Sequence, residues 1–282
     1  MKIRTIAVLG AGTMGHGIAH AAIAGGYRTR VYDVSDAAVE KGRASIEAIL
    51  RKSVELGKAA AADAEAMLQR LTPTSRLDAA LQDADFVIEA APEKIDVKLA
   101  LFAEIERLAP ASAVIASNTS ALSLTELAGS MKAPARVAGM HFFNPVHRMK
   151  LVEIVQALES SADTLDAIEQ VARAMGKETV LVRESPGFIT TRVNASIGNE
   201  AFYMLMEGVA SARDIDKALK LGLNHPMGPF ELVDLVGLDT RLSILEYLHR
   251  SMGEKYRPCP LLAQYVKAGR LGRKVGRGVY DY

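Results

Sequence analysis

The chain has 282 residues, 49% of them hydrophobic, and a formal net charge of +1. That length holds one large domain or two ordinary ones around a real core. The near-zero charge argues against nucleic acid or an anionic membrane surface as partner, and no apolar run reaches transmembrane length. Cys259 is the only cysteine, which excludes an intrachain disulfide and a thiolate metal site. A strand pattern starts almost at once, with no secretory leader pattern, so a reducing cytoplasm is expected.

Thr5 to Asp33 carries the strongest signal. Ile6-Ala7-Val8-Leu9 reads as a strand and Gly10-Ala11-Gly12-Thr13-Met14-Gly15 as a glycine loop. A helix then runs to Gly25-Gly26, and Arg30-Val31-Tyr32-Asp33 is a second strand ending in an acid. A lone GxGxxG is weak evidence, but strand, loop, helix, strand and acid together form a dinucleotide-binding fingerprint. Gly10 serves the tight turn, Gly12 the approach of a pyrophosphate, and Gly15 close helix packing. The helix N-terminus offers amides and a positive dipole end to the phosphates. Asp33 accepts from both ribose hydroxyls and repels a 2′-phosphate, and no Arg follows it directly. The expected cofactor is therefore NAD rather than NADP.

After Asp33, Ala37–Leu56 reads as a helix, and the Ala-rich Lys58–Ala66 stretch as helical rather than a linker. Asp85–Glu89 is a buried strand, Lys94–Leu108 a helix, and Ala113–Ala116 a strand running into Ser117-Asn118-Thr119-Ser120. Val137–Phe142 and Leu151–Gln156 are strands joined by a turn containing Asn144-Pro145. Asp163–Met175 is a helix closed by Gly176, and Thr179–Val182 the last strand. Alternating strands and helices argue for a mostly parallel sheet. Near Ser185-Pro186-Gly187 strand signals stop and helical periodicity takes over, as at Ile215, Ala218, Leu219 and Gly222. The expected fold is α/β: a Rossmann-type doubly wound sheet over residues 1–184, then an all-α domain over 185–282. The helical part holds more apolar residues, among them Met206, Leu235 and Val236, than a small bundle buries alone, so a homodimer or higher homo-oligomer is expected.

Ligands of open α/β sheets bind outside the carboxyl ends of the strands. Three polar groups fall there: Glu93, Ser117 to Ser120, and His141 with Asn144. Of six histidines, His16 and His20 lie on the first helix, His147 and His225 in Pro-containing turns, and His249 in a late helix. Only His141 ends a strand on the expected face. Oxidation of a secondary alcohol needs a base of near-neutral pKa, imidazole's natural range, and a group to orient it. Glu153, the lone acid in Leu151-Val152-Glu153-Ile154-Val155, meets His141 if the two strands are neighbours. It is a solvated edge carboxylate if they are not.

These segments resemble the short-chain 3-hydroxyacyl-CoA dehydrogenases, bacterial 3-hydroxybutyryl-CoA dehydrogenases in particular. The matching runs are GAGTMGHGIA, VIEAAPE, ASNTSALS, GMHFFNPV, MKLVEIV, NHPMGPFELVDLVGLD and GRKVGRGVYDY, which span nearly the whole chain. The resemblance implies reversible NAD-dependent oxidation of (S)-3-hydroxyacyl-CoA. It implies His141 as base, Glu153 as its orienting acid, and Ser120 on the reacting oxygen. Implied cofactor contacts are Gly10, Ala11, Gly12, Thr13, Met14, Gly15, Asp33, Glu93, Lys98, Ser120, Asn144 and Lys274. Arg51, Lys52 and Lys58 resemble the family's basic cluster for CoA phosphates. One position departs from the pattern: Thr191 stands where the family has an active-site Asn. Asn194, one helical turn on, is the candidate to replace that contact. Alternative functions are a related β-hydroxyacid dehydrogenase using a free acid, and a catalytically silent NAD-binding relative. Intact His141, Glu153 and Ser120 argue against the second.

Overall fold

The structure, a computed structural model, describes residues 2–282. Thr5–Leu9, buried at every position, forms β1, as a strand covered on both faces requires. It is followed by α1 (Gly15–Ala24), β2 (Arg28–Tyr32), α2 (Asp36–Glu55), α3 (Ala61–Leu68), β3 (Leu71–Thr74), α4 (Leu77–Leu81) and β4 (Phe86–Glu89). Next come α5 (Ile95–Leu108), β5 (Val114–Ser117), α6 (Leu124–Gly129), β6 (Val137–Phe142), β7 (Leu151–Gln156), α7 (Ala162–Ala174) and β8 (Glu178–Arg183). The strands make one sheet in the order β3-β2-β1-β4-β5-β6-β7-β8. Every neighbouring pair is parallel except β6 with β7. This is a Rossmann-type doubly wound sheet. Its order reverses between β1 and β4, which opens a crevice at the strand ends there.

The chain divides into two compact units, the first ending at Glu184 and the second running from Ser185 to Tyr282. In the second, α8 (Thr190–Met206), α9 (Ala212–Gly222), α10 (Pro229–Val236), α11 (Leu238–Met252) and α12 (Pro260–Lys267) enclose their own core. Phe202 and Phe230 meet edge to face at 5.2 Å there, beside buried Leu238, Leu245, Leu248 and Leu262. Asp234 accepts from the amides of Val279 and Tyr280 and from the Tyr282 hydroxyl, which ties the last residues down. Met206, Leu235 and Val236 remain exposed, as do Val209, Leu221 and Leu223.

Three short elements lie outside the sequence reading: β3, α4 and α6. β3 holds Pro73 at the sheet edge, and proline inside a four-residue run argues against a strand. α4 and α6 are too short for helical periodicity to show. The helix expected over Lys58–Ala66 begins only at Ala61 and leaves Lys58 outside it. Glu153 is no edge carboxylate, because β7 lies between β6 and β8 and Glu153 is fully buried.

Candidate functional site

The loop between β1 and α1 is shaped by what its glycines would otherwise strike. Gly10 has φ +107°, and a Cβ there would lie 2.6 Å from the Ala90 carbonyl oxygen. A Cβ on Gly15 would fall 1.6 Å from the Gly10 carbonyl oxygen, so helix start and strand end leave no room for a side chain. A Cβ on Gly12 would meet nothing within 4 Å, so that backbone stands open to a ligand. No acidic side chain lies in the first turn of α1, which leaves its positive end uncompensated.

Asp33 follows β2 directly. Its Oδ2 accepts from the Ala11 amide at 2.8 Å and its Oδ1 from the Val34 amide at 2.8 Å, which fixes the carboxylate plane. Ala11 is buried and its amide is turned to Asp33, so it supports the loop from behind. A cavity of 680 Å³ opens here, lined by Gly10, Gly12, Thr13 and Met14, by Tyr32, Asp33 and Val34, and by apolar Leu77, Val97 and Leu101. Its size suits a small-molecule site. Open amides at one end, an anchored acid in the middle and an apolar wall fit the adenosine diphosphate half of a dinucleotide.

At the ends of β4 and β5 lies a second group. Glu93 Oε1 accepts from the Thr119 hydroxyl at 2.6 Å and from the amides of Ser120 and Ala121 at 2.8 and 3.2 Å. Glu93 thus holds the loop that presents Ser120. Lys98 is buried, with its ammonium 2.6 Å from Glu89 Oε1 and 3.5 Å from Glu93 Oε2. Sequence reading missed Glu89, and it placed Ser117 in the polar cluster at this strand end without its tie to Glu89. An acid closing an apolar strand, opposite a serine closing the next, was the available signal.

The third group is a cross-strand pair. Antiparallel register sets His141 on β6 directly opposite Glu153 on β7. His141 Nδ1 donates to Glu153 Oε2 at 2.7 Å, with the His141 side chain 5% exposed. A carboxylate only accepts, so the proton sits on Nδ1 and Nε2 carries the basic lone pair. Phe143 packs on the imidazole at 4.6 Å between ring centroids. Asn118 Oδ1 accepts from the Phe142 amide at 2.8 Å and so ties the Ser120 loop to the strand bearing His141. Asn144 is exposed in the turn after β6.

The first unit therefore joins the glycine loop to Asp33, and ties the Ser120 loop, held by Glu93, to the strand that bears His141 opposite Glu153. Arg51 and Lys52 are exposed on α2, where each approaches Glu55, at 4.0 and 3.1 Å. Lys58 is exposed just beyond that helix. Thr191 and Asn194 are half-buried near the start of α8, in the second unit. Lys274, in the same unit, reaches both oxygens of Asp239 at 2.6 Å.

Comparison with known proteins covers both units. The family profile described as 3-hydroxyacyl-CoA dehydrogenase, NAD binding domain, matches residues 5–185, and that of the C-terminal domain matches 187–282. A probable 3-hydroxybutyryl-CoA dehydrogenase of Bacillus subtilis is 46% identical over 100% of this chain and 98% of its own length. The 3-hydroxybutyryl-CoA dehydrogenase of Bradyrhizobium diazoefficiens is 42% identical over 99% of this chain and 96% of its own. The crystal structure of (S)-3-hydroxybutyryl-CoA dehydrogenase from Ralstonia eutropha superposes with a TM-score of 0.96 at 43% identity, covering 100% of this chain and 99% of that one.

Proposed function

The chain belongs to the 3-hydroxyacyl-CoA dehydrogenase family, an NAD-dependent oxidoreductase of 3-hydroxyacyl-CoA, and from that premise we propose that it interconverts (S)-3-hydroxybutyryl-CoA and its 3-oxo product with His141 as base. The observation that carries the assignment of the base is the 2.7 Å contact of His141 Nδ1 with fully buried Glu153. Held this way, Nε2 accepts the proton of the C3 hydroxyl, and Glu153 stabilises the imidazolium that forms. The Ser120 hydroxyl donates to the reacting oxygen. NAD, when bound, supplies the hydride acceptor. Gly12, Thr13 and Met14 would hold its pyrophosphate and Asp33 its adenosine ribose, with Glu93, Lys98, Asn144 and Lys274 along its nicotinamide half. Arg51, Lys52 and Lys58 would meet the phosphates of CoA, and Thr191 or Asn194 the thioester. The exposed apolar residues of the helical unit, Leu221 and Leu223 among them, support assembly into a homodimer or higher homo-oligomer; the single cysteine fits a reducing cytoplasm.

Turnover of 3-hydroxybutyryl-CoA and of free 3-hydroxybutyrate, each with NAD and NADP, tests this reading. The thioester with NAD should be preferred, by at least about tenfold in kcat/KM over NADP, which needs only ~1.4 kcal/mol at the ribose. Equal use of the free acid would remove CoA from the assignment. Equal use of both cofactors would remove the role of Asp33.

A further inference from the structure

Glu89 takes no part in the chemistry just described, yet two chains of contacts leave it, one ending at Ser120 and the other at its neighbour Thr119. It closes β4 at the centre of the sheet and is fully buried. Its Oε1 accepts from Lys98 Nζ and from the Ala91 amide, both at 2.6 Å. Its Oε2 accepts from Ser117 Oγ, its direct neighbour in register on β5, at 2.5 Å. One chain runs from Glu89 to Lys98, then 3.5 Å to Glu93 Oε2, and through Glu93 Oε1 to the Ser120 amide. The other runs through Ser117 Oγ, which accepts from the Thr119 amide at 3.2 Å, to the residue before Ser120.

We infer that Glu89 is a positioning residue, which through Lys98–Glu93 and through Ser117 sets where the Ser120 loop sits relative to His141. The inference rests on the site reading above. Burying an ion pair is a poor route to stability, since well-packed apolar residues of similar volume do as well or better. What Glu89 and Lys98 provide instead is direction. A carboxylate with three donors and an ammonium spanning two carboxylates permit few arrangements, whereas apolar packing permits many. The loop they fix is joined to β6 by Asn118, which accepts from the amide next to His141. An error at Glu89 is therefore passed to the distance between the Ser120 hydroxyl and the imidazole.

Two variants test this, because Glu89→Gln weakens a buried ion pair and leaves Lys98 only Glu93 at 3.5 Å, a change that lowers stability as well. Ser117→Ala keeps the Glu89–Lys98 pair and removes only the second chain of contacts. Both are assayed for 3-hydroxybutyryl-CoA turnover and NADH affinity, and for hydrogen exchange across residues 117–122 without cofactor. The expected result for Ser117→Ala is a kcat lower by about tenfold, NADH affinity within about threefold of the parent, and faster exchange in that loop alone. Folded Glu89→Gln should lose more kcat, with the same exchange signature. Wild-type kcat and exchange in Ser117→Ala would overturn the inference, even if its melting temperature falls. His141→Gln separates the two levels. If it turns over normally, the site reading falls and this inference with it. If it is crippled while Ser117→Ala is not, this inference falls alone.

Discussion

Glu89 and Glu153 are both fully buried in one sheet, and each bonds to the residue opposite it on the next strand. They differ in what balances them. Glu89 faces Ser117 and takes its counter-charge from Lys98, a residue of α5. Glu153 faces an imidazole, whose charge can come and go. A carboxylate paired with a lysine is a fixed strut. A carboxylate paired with a histidine leaves its partner free to exchange a proton. Parallel pairing of β4 with β5 brings two strand ends and their loops to one edge, so Glu89 can organise loops. Antiparallel pairing of β6 with β7 places two side chains opposite each other within the strands, so Glu153 can hold a reacting group still.

Replacing the exchangeable partner should have the largest effect. His141→Gln is expected to lower kcat by about 10² to 10⁴, with NAD affinity nearly unchanged. Near-parental turnover would dissolve the distinction between the two carboxylates. Stability should separate them in the opposite sense. Glu89→Gln leaves the buried Lys98 ammonium only the longer 3.5 Å contact with Glu93, at a cost that approaches the about 3–5 kcal/mol of a broken buried pair. Glu153→Gln keeps an amide oxygen that can accept from His141 Nδ1 and strands no lysine charge, so its loss should be smaller. Urea midpoints of the two variants measure the difference, and equal midpoints would contradict it.

A third group, half-buried, sharpens the contrast. His20 on α1 has no hydrogen-bond partner at Nδ1, and no carboxylate balances it. Burial lowers its pKa from 6.5 to about 4, with help from His147, Lys177 and His16 nearby. Between those values the unfolded chain binds the proton that the folded one refuses, so stability rises with pH through the window and is lost as pH falls through it. Above pH 6.5 this contribution is constant. His20→Gln should flatten the drop in melting temperature between pH 6.5 and 4, which is worth roughly 3 kcal/mol at most. An unchanged slope would assign the acid sensitivity elsewhere.

The smallest expected effect lies in the helical unit. Thr191→Val removes one neutral hydroxyl and should lower kcat/KM by roughly two- to twelvefold, if that hydroxyl meets the substrate. If Asn194 has taken over the contact, Thr191→Val is silent and Asn194→Ala carries the loss. If both are silent, α8 does not touch the acyl-CoA.

What was legible in the sequence follows the range of each interaction. The Gly10–Gly15 loop and Asp33 form one short strand-helix-strand unit, so their meaning shows in local pattern. His141 and Glu153 lie twelve residues apart on successive strands, and adjacency was one of only two readings. The Glu89 assembly joins β4, β5 and α5 over 28 residues, and an acid at one strand end and a serine at another are its only trace in the local pattern. Lys98 shows the limit of resemblance: it came across as a cofactor contact, with no sign that its ammonium is buried against Glu89. β3 escaped because Pro73 speaks against a strand unless the strand is known to lie at an edge.

That proline has a consequence for how the molecule behaves in a crowd. The Thr29 amide donates to the Arg70 carbonyl at 2.8 Å, and alternation then turns Leu71 and Pro73 outward, away from β2. The outward rim of β3 is where a stray strand from another chain would dock, and at its middle it has no N–H to offer. Extension of the sheet beyond β3 is therefore blocked by one missing hydrogen atom.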